Sequence, residues 1–100
     1  MLKHIVMWKL KETAEGKSKP ENALVMKEML ESLPGRIPEI GSLEVGININ
    51  PTDAAYDVVL YSEFRDEAAL YAYQEHPEHV KVADFVAKIR EERAVVDYII

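Results

Sequence analysis

The chain has 100 residues, 48% apolar and 30% charged, with 18 acidic against 12 basic side chains and a formal net charge of -6. That is too much hydrophobe for a disordered chain and too much charge for a membrane-embedded one, so a single domain over residues 1–100 is expected. The acidic balance argues against a nucleic-acid partner, which needs a clustered positive field to displace counterions.

From Leu2 to Lys11 the residues alternate with a period of two, placing Leu2, His4, Val6, Trp8 and Leu10 on one face and Ile5 and Met7 between lysines on the other. This predicts a strand with apolar character on both sides, with Lys3, Lys9 and Lys11 as solvated charges that discourage aggregation. Glu12 to Lys19 is polar and carries a glycine, predicting a turn into a helix capped by Ser18, with Pro20 in its first turn. Ala23, Met26, Leu30 and Leu33 recur at helical steps and face a core, until Pro34, Gly35 and Pro38 stop the helix.

Leu43, Val45, Ile47 and Ile49 alternate with polar residues and glycine in a second strand that ends at Pro51. Tyr56 to Phe64 forms the third strand, apolar on both faces, and pairs with the second as a hairpin. Asp66 caps a short helix presenting Leu70, Tyr73 and Gln74, which breaks at His76 because Pro77 follows. Pro77 opens a further helix lined by His79, Val82, Val86 and Ile89, and a last strand runs from Ala94 to Ile100. The order β, α, β, β, α, β predicts an α+β, ferredoxin-like fold with a four-stranded antiparallel sheet.

The helices can cover only one face of such a sheet, yet three strands carry apolar residues on both. At roughly 25 cal/mol per Å² of apolar area, leaving the second face wet forfeits several kcal/mol, against the ~5–15 kcal/mol that holds a domain together. A homodimer packed sheet to sheet is the expected remedy, giving a dimeric α/β barrel.

Two segments carry a resemblance: Lys3-His4-Ile5-Val6-Met7-Trp8-Lys9-Leu10-Lys11, and Tyr71-Ala72-Tyr73-Gln74-Glu75-His76-Pro77-Glu78-His79-Val80 followed by Arg93-Ala94-Val95-Val96-Asp97-Tyr98. Together they are similar to the stress-responsive dimeric α/β-barrel family, often called Dabb, over nearly the whole chain. The resemblance implies the same dimeric fold and, for most members, no assigned reaction. A plant polyketide cyclase of that family closes a ring by aldol-type chemistry, and its working histidines resemble His4 and His79, with a pocket tyrosine at Tyr73. A further tyrosine of the cyclase falls on Met26, which has no hydroxyl, so its substrate does not carry over.

An imidazole and a phenol are the groups that proton removal next to a carbonyl requires, one as base and one as donor to the developing oxyanion. The structural alternative for each is a satisfied, packed side chain, with His76 a helix-junction residue and Asp97 paired at the dimer face. No cysteine, glycine-rich phosphate loop or nucleophile elbow is present, and no cofactor or metal is expected, since Pro77 separates His76 from His79. The absence of cysteine fits a reducing compartment, and the short, charge-interrupted start is no signal segment or membrane span, so a cytoplasmic location with no membrane partner is expected.

Two readings of function follow, with a third from fold analogy. One is a dimeric stress-related protein holding a small apolar or carbonyl ligand. The other is a cofactor-free cyclase or lyase with His79 as base and His4 or Tyr73 as oxyanion partner. The third, a cofactor-independent monooxygenase, rests on the barrel alone. A cavity shared by His79 and Tyr73 would favour the enzyme, and two sealed side chains would oppose it.

Overall fold

A computed structural model describes residues 1–100. β1 (Leu2–Leu10) is followed by a small hairpin of β2 (Thr13–Ala14) and β3 (Lys17–Ser18), then α1 (Lys19–Glu31) and a 3₁₀ turn over Leu33–Gly35. β4 (Ser42–Ile47), β5 (Val58–Phe64), α2 (Glu67–Glu75), α3 (Pro77–Ile89) and β6 (Arg90–Ile99) complete the chain. The main sheet has the order β4-β5-β1-β6 with every pair antiparallel, which is the ferredoxin-like arrangement.

Local signals explain the helix boundaries. Ser18 and Glu21 form a reciprocal capping box at the start of α1, the Ser18 Oγ accepting from Glu21 N at 3.4 Å and the Glu21 carboxylate from Ser18 N at 3.0 Å. Asp66 caps α2 by accepting from Ala69 N. His76 leaves the helical conformation ahead of Pro77, and its Nδ1 accepts from Glu78 N at 3.1 Å, so it ends α2 and caps α3 at once.

Three boundaries differ from expectation. The Glu12–Lys19 turn is a two-stranded hairpin whose central Glu15 and Gly16 both have positive φ, 51° and 76°, the twist that a two-residue connection needs. β4 stops at Ile47 because the Asn48 and Asn50 side chains bond nearby backbone instead of extending the alternation. β6 begins at Arg90, four residues before the expected start, because its backbone pairs with Leu10, Lys9 and Trp8 through a charged segment that carries no apolar alternation.

The helix-covered face buries the β1 residues Leu2, His4, Val6, Trp8 and Leu10 together with Val58, Leu60, Ser62 and Phe64 of β5. Ser62 is satisfied there by donating to the His4 carbonyl. The opposite face is uncovered and presents Ile5, Met7, Val59, Tyr61, Val96 and Tyr98, with Lys3 paired to Glu63 across it. That ion pair and the Tyr61 hydroxyl hold the Glu63 carboxyl down to about 2. The lysines of β1 are therefore placed beside partners: Lys9 approaches Glu92 at 4.0 Å and lies 5.2 Å from the centre of the Tyr56 ring.

Candidate active site between the sheet and the third helix

A cavity of about 370 Å³ lies on the helix-covered side, walled by β1, the last turn of α2, the inner face of α3 and the start of β6. His4, Tyr73 and His79, the three candidates read from the sequence, all line it. They form a connected aromatic cluster: Tyr73 lies 4.4 Å from His79 and 6.3 Å from His4, ring centre to ring centre.

His79 faces the cavity because α3 restarts at Pro77, putting it on the same face as Val82 and Val86. Its Nδ1 donates to the Gln74 carbonyl at 3.0 Å, an acceptor left free by the helix break. That bond places the proton on Nδ1 and leaves the Nε2 lone pair with no partner in the chain. Burial pushes the imidazole below its ordinary value of 6.5, with Gln74 opposing and the nearby His4 and Arg93 adding to the effect. At neutral pH His79 is a neutral base.

Tyr73 is fully buried and its hydroxyl has no hydrogen-bond partner in the protein. Leaving such a group unpaired costs on the order of 1–3 kcal/mol, so its position in the wall of a cavity is a marked feature. Burial raises the phenol to about 12, with Arg93 acting in the other direction, and it stays a proton donor at any physiological pH.

His4 is held more tightly. Only 2% exposed, it donates from Nδ1 to the Asp97 carboxylate and meets Phe64 edge-on. This corrects the placement of Asp97 at the dimer face: the β1–β6 register sets Asp97 opposite His4, on the helix-covered side. Met26, where the resemblance lacked a hydroxyl, is fully buried in the core and does not line the cavity. His76 and His79 diverge, each using Nδ1 for a different backbone group, and no group of three or more His, Cys, Asp or Glu side chains converges as metal ligands.

Sequence reasoning missed Arg93, which also lines the cavity. It pairs with Trp8 in the ladder and so shares the face of Val95 and Asp97. The two-residue period of the last strand, extended back one step from Ala94, would have placed it there.

A dimeric ferredoxin-like protein of unknown function from Bacteroides fragilis is similar to this chain with a TM-score of 0.83 and 39% identity, over 99% of this chain and 95% of that one. An uncharacterized protein of Streptomyces coelicolor is 34% identical over 79 residues, 79% of each chain. A hydroxynitrile lyase from Passiflora edulis shares the fold at a TM-score of 0.82, covering 99% and 92% of the two chains, with 19% identity. No helix here is long and apolar enough to cross a membrane. The sequence pattern of the stress responsive A/B barrel domain, Dabb, matches residues 2–100, and with the sheet order and the uncovered apolar face described above it establishes that the chain belongs to that family.

Proposed function

We propose that the protein is a cytoplasmic homodimer whose helix-side cavity performs cofactor-free acid–base chemistry on a small carbonyl compound, as a lyase or cyclase. The observation that carries this reading is the unpartnered, buried Tyr73 hydroxyl beside a His79 whose Nε2 is free, both in the wall of one cavity. The dimer is supported by the uncovered apolar sheet face and by the dimeric state given for the similar Bacteroides protein.

With a carbonyl carbon chain in the cavity, Nε2 of His79 takes a proton from the carbon next to the carbonyl. The C–H electron pair moves into an enolate whose oxygen accepts a hydrogen bond from Tyr73. The imidazolium returns its proton either to carbon, giving isomerisation or exchange, or to the alkoxide formed when the enolate carbon attacks a second carbonyl, closing a ring. Every electron pair stays within the substrate, so residues of the chain suffice. His4, oriented by Asp97, fixes the floor of the cavity and the Tyr73 ring that it meets edge-on. The Passiflora enzyme shows that this fold accommodates a lyase.

The test follows deuterium uptake from D₂O at C3 of methyl 4-methyl-2-oxopentanoate by NMR. Wild type is expected to accelerate exchange and His79→Ala to lose about 10²- to 10⁴-fold, while both sediment as dimers. Exchange no faster with wild type than with His79→Ala removes the proposed base, and a wild type that sediments as a monomer removes the dimer.

A further inference from the structure

The charge balance of the molecule reverses at this cavity. Among its 14 lining residues are Arg90, Arg93 and two histidines but no aspartate or glutamate, in a chain with 18 acidic and 12 basic side chains. Of the 12 lysines and arginines, Lys3, Lys9, Lys19, Lys27, Arg36 and Lys81 lie within 4.0 Å of a carboxylate, and among the cations without one only Arg90 and Arg93 line the cavity. Arg93 has no carboxylate that close. The acid that shares its strand face, Asp97, is taken by His4.

Arg93 is exposed on the edge strand β6, and it also lines a cavity with nine hydrophobic residues in its wall, so its guanidinium stands at the border between water and an apolar space. Its charge is felt at the chemical groups, since it acts on both Tyr73 and His79. Beyond about 8 Å the overall negative charge of the chain is screened at physiological salt, so a ligand at the cavity mouth meets the local arginines.

We propose that the cavity binds a small oxo acid, its carboxylate seated on the Arg93 guanidinium and its carbonyl reaching the Tyr73 hydroxyl and His79. This rests on the acid–base reading above and names its substrate class. One planar guanidinium matches the two oxygens of a carboxylate, and the apolar walls and volume suit a short hydrocarbon chain behind it. Arg90 lines the same cavity, but of the two arginines only Arg93 acts on both Tyr73 and His79, so Arg93 is the anchor nearer the chemical groups.

Trp8 provides the readout, being the single tryptophan and part of the cavity wall. Quenching of its fluorescence is measured with 4-methyl-2-oxopentanoate and with the methyl ester of that acid, which keeps the carbonyl and hydrocarbon but removes the charge. The acid is expected to bind wild type about tenfold to a hundredfold more tightly than the ester. Arg93→Gln should abolish that preference by weakening the acid alone, and Arg93→Lys should keep part of it, showing that charge rather than fold is lost. Equal affinity for acid and ester, a preference unchanged in Arg93→Gln, or no binding of the acid in the millimolar range would overturn the proposal. Deuterium exchange keeps the two readings apart. An Arg93-dependent preference without exchange sustains the acid site and removes the chemistry; exchange that ignores both the charge and Arg93 does the reverse.

Discussion

The two halves of the helix-covered sheet face make opposite use of the same materials. On the β4–β5 side, Met26, Leu33, Ile37 and Val45 are at most 4% exposed and close-packed in the core. On the β1–β6 side the same layer of helices stands off enough to leave a cavity lined by Tyr73, His79 and Arg93, residues whose hydroxyl, Nε2 and guanidinium have no hydrogen-bond or carboxylate partner in the protein. Nothing in the ferredoxin-like order forces that asymmetry. Packing is tight where polar groups are absent or satisfied, and the space is left where they are not.

The contrast can be broken most strongly by emptying the packed half. Ile37→Ala should cost about 2–5 kcal/mol in denaturant unfolding while leaving the Trp8-detected affinity for 4-methyl-2-oxopentanoate unchanged. A parallel loss of affinity would show that the two halves are not separable. A smaller effect on the fold is expected at the cavity itself. Tyr73→Phe removes a buried hydroxyl with no partner, so the melting temperature should hold or rise, while deuterium exchange falls by about 10²- to 10³-fold. A clear loss of stability would assign Tyr73 to the structural half.

The smallest effect is the response to pH. Because the folded protein holds the His79 imidazole below 6.5, the unfolded chain binds its proton first as pH falls. The contribution of His79 to stability is thus fully present above 6.5 and is lost as pH drops through the lower folded-state value. His79→Asn should remove this component from a pH series of unfolding midpoints. The exchange rate should fall in the same direction, with its acid limb below 6.5; a limb above that value would contradict a neutral, buried base.

Much of this architecture is written in short stretches of chain. The alternation in β1 places His4 with Val6 and Trp8, Ser18 and Asp66 stop and start helices by capping, and Pro77 both breaks the helix and turns His79 toward the core. Each depends on neighbours within a few residues, so each can be read without the fold. The apolar residues on both faces of one sheet can likewise be read from the alternation within each strand. The partner of His4 could not be read this way: Asp97 lies 93 positions away and meets it only through the register of β1 against β6. Arg93 was missed for the same reason, since the charged start of β6 has no apolar rhythm and becomes a strand only by completing a backbone ladder. Residue periodicity settled which face each side chain takes within its own element. Long-range strand pairing alone decided which faces meet, because register is set by the summed hydrogen bonds and packing of two distant segments rather than by either one.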